Sequence, residues 1–135
     1  MLGRNSSHFW GVVLETSDPP ALARFYAGLL QWQIVKEEPD FVGVAPMGGH
    51  VEYLAFQRSA DYEPPAWPNE PGRQQMQMHL DIEVPNLEQA VGAAVAAGAT
   101  EAAWQPQDTV RVLLDPAGHP FCLYVDASVT PRQAG

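Results

Sequence analysis

Two periods of apolar and polar positions organise this chain. Phe9 to Thr16, FWGVVLET, is rich in Val, Leu and aromatic residues and predicts a strand. Ser17-Asp18-Pro19-Pro20 follows, with Asp18 placed to cap a helix and the two prolines suited to its first turn. From Ala21 to Leu30 the apolar residues Leu22, Phe25, Tyr26, Leu29 and Leu30 recur at helical spacing. Trp32–Val35, Phe41–Ala45 and Val51–Arg58 read as three more strands, with Met47-Gly48-Gly49-His50 turning the chain before the last.

The same order then returns. Met76–Val84, MQMHLDIEV, predicts a strand, and Asn86 with Gln89 three residues on predicts a variant capping box. Ala90, Val91, Ala94, Val95 and Ala97 continue at helical spacing up to Gly98, a natural residue for the positive φ that ends a helix. Strands are expected around Glu101–Trp104, at Val110–Leu114 and at Phe121–Val125, with the turn sequence Asp115-Pro116-Ala117-Gly118 between the last two. A shift of 68 residues superposes the blocks: Gly11 falls on His79, Glu15 on Glu83, Asp18 on Asn86 and Leu30 on Gly98. The pattern is a duplicated β-α-β-β-β unit: one domain over 1–135, with module one at about 8–58, a connector at 59–75, module two at about 76–126 and a short tail at 127–135. The connector, SADYEPPAWPNEPGRQQ, is rich in Pro and polar residues and long for a loop. Its single large apolar residue, Trp67, either pins the loop to the body or closes a pocket.

Composition narrows the function more than the fold. Sixteen acidic residues against seven basic ones leave a net charge of −9, which argues against binding nucleic acid, since phosphates are neutralised by Lys and Arg. The first residues, MLGRNSSHFW, lack an apolar core of a signal peptide, and the apolar run at Val91 to Ala99 is too short to span a bilayer, so no membrane association is expected. A single cysteine, Cys122, forms no internal disulfide and points to a cytoplasmic location.

GVVLETSDPPALARFYAGLLQW, HLDIEVPNLEQAVGAAVAAGA and LLDPAGHPFCLY, taken together, resemble the vicinal oxygen chelate superfamily, which includes glyoxalase I, bleomycin-resistance proteins and extradiol dioxygenases, and in particular the small glyoxalase-like domain proteins. The resemblance implies an α+β fold of two paired β-α-β-β-β modules, their sheets curling into an incomplete eight-stranded mixed β-barrel with the helices outside. It also implies a homodimer and, in metal-using relatives, a divalent ion held by His and Glu residues from the first and last strand of each module.

At those four positions this chain has Gly11, His79, Cys122 and, less securely aligned, Ala55 or Tyr53. Only His79 keeps the pattern. No metal is therefore expected in the usual family position; the alternative is a Zn, Fe, Mn or Ni ion held by His79 with recruited ligands such as Cys122, His8 or His50. Period-two alternation puts His79, Asp81 and Glu83 on one strand face and Leu80, Ile82 and Val84 on the other, and pairs Cys122 with Tyr124 and Tyr53 with Ala55 and Gln57. A small-molecule pocket lined by His79, Asp81, Tyr53, Cys122 and Tyr124, with Trp67 nearby, is one expectation. Arg111 is placed to approach Cys122 from the neighbouring strand, or to lie on the surface; His119 is expected to be exposed at its turn.

Three functions fit these residues. A metal-free module binds a small apolar or aromatic molecule in the barrel cleft, and the acidic balance is compatible with a cationic one stacked on Trp or Tyr faces. A metal-dependent lyase, isomerase or dioxygenase is anchored on His79. An acid–base enzyme works through His79 with Asp81 as candidate catalytic residues. In each, the bland alternatives stand beside the functional ones: a His79–Asp81 hydrogen bond, and Cys122 as a small buried hydrophobe.

Overall fold

The computed structural model describes residues 4–126; the tail expected at 127–135 lies outside the described residues. The chain divides between Tyr62 and Glu63 into two compact units, so most of the connector belongs with the second. Each unit is a four-stranded mixed sheet with one helix, and the two sheets have the same topology.

In the first unit the strands are β1 (Trp10–Thr16), β2 (Gln33–Glu38), β3 (Phe41–Ala45) and β4 (Glu52–Arg58), in the order β1-β4-β3-β2. The β1/β4 pair is parallel and the other two are antiparallel. Helix α1 (Pro19–Leu30) starts where the sequence says it should. The Asp18 carboxylate accepts the Ala21 N–H at 3.1 Å, and Pro19 and Pro20 occupy the first turn, where a missing N–H costs nothing. It ends with Gln31 in the left-handed region, φ 57°. The buried face of α1 is Leu22, Ala23, Phe25 and Tyr26. The Tyr26 ring stacks on Phe56 at 5.4 Å and 10°, and Phe25 meets Tyr26 edge-on. Register puts Val42 opposite Phe56 and Val44 opposite Leu54, so these four buried residues share the face that meets the helix. The other face carries Gly11, Tyr53, Ala55 and Gly43.

The second unit repeats this as β5 (Leu80–Glu83), α2 (Leu87–Ala97), β6 (Thr100–Glu101), β7 (Val110–Leu114) and β8 (Pro120–Tyr124), in the order β5-β8-β7-β6 with β5/β8 parallel. Asn86 accepts the Gln89 N–H at 3.0 Å, and Gly98 closes α2 at φ 124°. The core of this unit is Leu113, Phe121, Leu123 and Val112, with Ala94 the one buried residue of α2.

Two strands are shorter than periodicity suggests. Met76–His79 lie before the β5 ladder because its partner β8 begins only at Pro120, which has no N–H to give; the first register pair is Leu80 with Phe121. The strand expected over Glu101–Trp104 stops at Glu101. Beyond it the Gln105 side-chain amide takes the place of a strand backbone: its oxygen accepts the Val112 N–H and its NH2 donates to Val112 O, both at 2.8 Å.

Trp67 pins its loop rather than standing open. Its ring lies 5.4 Å from that of Trp104, and its Nε1–H donates to Trp104 O at 3.4 Å. The connector also packs on the closing hairpin: a Cβ at Gly118 (φ +91°) would come within 2.7 Å of Pro64 Cβ.

Candidate functional site

The residues to which the sequence points fall into two groups, one in each unit. In the second unit Asp81 and Cys122 are direct neighbours in the β5/β8 ladder, and Glu83 faces Tyr124. His79 lies two residues before Asp81 on the same side. Its Nε2 is 3.1 Å from Asp81 Oδ1. One donor atom from each of His79, Asp81 and Cys122 lies within 4.8 Å of the others. His79 and Asp81 are exposed and Cys122 is half-buried, so the trio opens outward. Phe121 and Leu123 are buried while Cys122 and Tyr124 are half-buried, the alternation that the sequence implies.

Burial pushes the Cys122 thiol up to about 11, and the negative charge of Asp81 and a thiol hydrogen bond to that carboxylate add to it. The sulfur is therefore a protonated donor near neutral pH, not a nucleophile. From an ordinary value of 9.0, a rise of that size cuts the thiolate fraction about a hundredfold, while the greater basicity returns about tenfold in intrinsic reactivity. Iodoacetamide should thus alkylate the folded chain about tenfold more slowly than an unperturbed thiol at pH 7, and Asp81→Asn should speed it. Mass spectrometry of the time course reads both; a rate matching free cysteine contradicts the assignment.

Arg111 is not part of this group. It pairs with Leu123 in the β7/β8 ladder, and Val112 is the residue opposite Cys122. Arg111 therefore projects from the opposite face, where its Nε lies 3.8 Å from Glu101 Oε1 and its guanidinium donates to Gln107 O, Asp108 O and Val110 O. Period-two alternation within one strand does not give the register between two, which is what separates Arg111 from Cys122.

In the first unit, register resolves the less secure position. Val13 is opposite Ala55 as Asp81 is opposite Cys122, and the two pairs are related by the repeat, so Ala55 is the counterpart of Cys122. It is fully buried and has no donor atom. Gly11 is opposite Tyr53, and a Cβ built on Gly11 would lie 2.5 Å from the Tyr53 ring carbons and 2.6 Å from its carbonyl oxygen. The tyrosine ring thus covers the backbone where metal-using relatives carry a donor. The first module has no donor at either of its two positions, so these residues do not supply the four-ligand set that the resemblance implies. Of the recruited candidates, His8 Nδ1 accepts the Asn5 N–H at 3.3 Å, whereas the His50 ring lies 5.7 Å from that of Phe9 and its buried Nδ1 has no hydrogen-bond partner among the described residues.

His119 corrects the expectation of an exposed turn residue. Its side chain is only 16% exposed, and Nδ1 lies 2.8 and 3.0 Å from the two oxygens of Asp115, whose side chain is completely buried. Asp115 Oδ1 also accepts the Ala117 and His119 N–H groups at 2.9 and 3.0 Å. Aspartate opening a turn and accepting N–H groups two and more residues on was the available signal; the ring folding back over it was not readable. An open groove of about 540 Å3 in the first unit, between Lys36, Phe41, Gln57 and Arg58, was also not anticipated. Its main cation is engaged, since Arg58 holds Asp40 at 2.7 Å and Ser17 O at 2.7 Å.

Comparison with known proteins agrees with this architecture. The family model for the glyoxalase-like domain matches residues 11–124, and the chain belongs to that family. No curated protein matches it. Among solved structures it is similar to a glyoxalase/bleomycin resistance protein/dioxygenase family enzyme from Burkholderia phytofirmans PsJN, at 20% identity and TM-score 0.63, covering 85% of this chain and 95% of that one. A glyoxalase-related enzyme from Fulvimarina pelagi gives 20% identity and TM-score 0.58 over 92% and 97% of the two chains. TnmS3, an antibiotic binding protein from Streptomyces sp. CB03234, gives 14% and 0.58 over 94% and 100%. At these identities the likeness is one of fold. Among the described residues no helix is long and apolar enough to cross a membrane.

Proposed function

We propose that this glyoxalase-like chain binds a small apolar or aromatic molecule, without the family's two-module metal. The observation that carries this reading is the Tyr53 ring lying over Gly11, which replaces a metal donor with an aromatic surface. The second unit has its own half-buried ring, Tyr124, two residues from Cys122 on β8. Aromatic faces with few polar groups suit flat or cationic ligands, and a net charge of −9 favours the cationic ones. An antibiotic binding protein with a similar fold, TnmS3, supports small-molecule binding as the role.

A cytoplasmic homodimer completes the proposal. It rests on the resemblance and on the single cysteine, with the exposed Trp10 and Phe9 as candidate contact residues. Native mass spectrometry of the chain purified from cells tests both parts. The expected spectrum shows twice the chain mass plus a small organic adduct, and isothermal titration with a panel of cationic and aromatic compounds gives at least one micromolar ligand. A bare monomer together with no heat across the panel would reject the reading.

A further inference from the structure

We propose that the open groove of the first unit binds small organic ammonium ions, and that Lys36 is its resident, displaceable occupant. The groove, about 540 Å3, lies between Lys36, Phe41, Gln57 and Arg58. Gln57 is four residues along β4 from Tyr53, about 13 Å at the usual strand rise, so the groove does not depend on the ring over Gly11. Lys36 reaches it through a break in the β2 ladder. Ile34 pairs with Val44 on the face that meets α1, and the register then shifts so that Lys36, not Val35, stands opposite Gly43. Without that bulge Lys36 would pair with Val42 on the helix side. With it, Lys36 joins Glu38, Phe41 and Gln57 on the other face.

Re-aimed in this way, the Lys36 ammonium sits 5.5 Å from the centroid of the Phe41 ring and 3.6 Å from Glu38 Oε1. An aromatic face with a carboxylate beside it recognises an organic cation, and here it already holds one. The hold is weak. The Lys36 and Glu38 side chains are 56% and 59% exposed, and an exposed cation–π contact or ion pair is worth a factor of only about two to five. A free ammonium ion therefore competes for the place, with its apolar remainder against Phe41 and the stem of Gln57. The groove's other cation does not make it an anion site. Arg58 is held by Asp40, Ser17 O and Pro39 O, and a net charge of −9 opposes anions.

The lysine side chain is itself a butylammonium group, so n-butylammonium is the probe. The 15N-labelled full chain is titrated with it and followed by NMR. Amide shifts should concentrate at 36–41 and 57–60 and approach saturation, which locates the ion without any variant. Lys36→Met should tighten binding about three- to sixfold, because the competing occupant is gone. Arg73→Met, the same change of charge in the second unit, should not. Phe41→Leu in the Lys36→Met background should weaken binding about two- to fivefold, and Tyr53→Leu should leave it unchanged. n-Butanol, which makes neither the ring contact nor the ion pair as a cation, should bind at least about fourfold more weakly. Lys36 is exposed on an edge strand, so Lys36→Met keeps the fold. No shifts at 36–41 and 57–60, an affinity unchanged by Lys36→Met, or tighter binding of butyrate than of n-butylammonium overturns the proposal. Binding lost in Tyr53→Leu but kept in Phe41→Leu also overturns it, and leaves the aromatic surface over Gly11 standing as the ligand site.

Discussion

Asp115→Ala is expected to lower stability by about 3 kcal/mol, the largest effect of any polar substitution in the second unit. Removing the carboxylate strips the Ala117 and His119 N–H groups and the His119 ring of a shared acceptor inside a buried turn. Each buried donor left without a partner costs about 1–3 kcal/mol. Some relaxation toward solvent near His119, which is partly exposed, brings the sum to the lower end. His119→Ala should cost less, about 1–2 kcal/mol, because Asp115 keeps its backbone donors. Urea unfolding followed by tryptophan fluorescence gives both numbers, and thermal melting should fall by about 10 °C for Asp115→Ala. The order of the two variants is the sharper part. If Asp115→Ala shifts the midpoint by less than His119→Ala, the carboxylate is not the organising group of the hairpin.

That turn also shows where sequence reading ends. Helix α1 and helix α2 were legible because their signals are local: Asp18 and Asn86 cap N–H groups three residues on, and Gly98 takes a positive φ at its own position. Val110–Leu114 and Phe41–Ala45 match their predicted bounds because a run of Val and Leu between turn residues needs no outside information. The length of β5 is not local; it is set by where β8 begins. The side on which Arg111 lies depends on the register between β7 and β8, and one residue of shift moves every side chain to the other face. In the site, alternation correctly put His79 with Asp81 and Cys122 with Tyr124. That Asp81, and not His79, stands directly beside Cys122 is again a matter of register, and it is what turns a depleted family site into a compact three-donor group.

Gly11 is the position where the chain tells most about its own departure from metal-using relatives. It is glycine because Tyr53 leaves no room for anything else: a Cβ would meet both the ring, at 2.5 Å, and the tyrosine carbonyl oxygen, at 2.6 Å. The ring can swing away, but the carbonyl belongs to β4, which is held between β1 and β3. Gly11→Ala should therefore destabilise by about 2–3 kcal/mol, in the range of overpacked sites, although alanine elsewhere in a strand is usually favourable to glycine. Adding Tyr53→Ala removes the ring contact and leaves the backbone one. The double variant should consequently recover only part of the stability lost at Gly11, relative to Tyr53→Ala alone, and a double-mutant cycle reads that residue of strain directly. Full recovery would mean that the ring alone excludes a side chain at Gly11, and that trimming Tyr53 would reopen the first module to a metal donor. Partial recovery means that β1 and β4 approach too closely in this chain for a histidine at Gly11 to be accommodated, whatever stands at Tyr53.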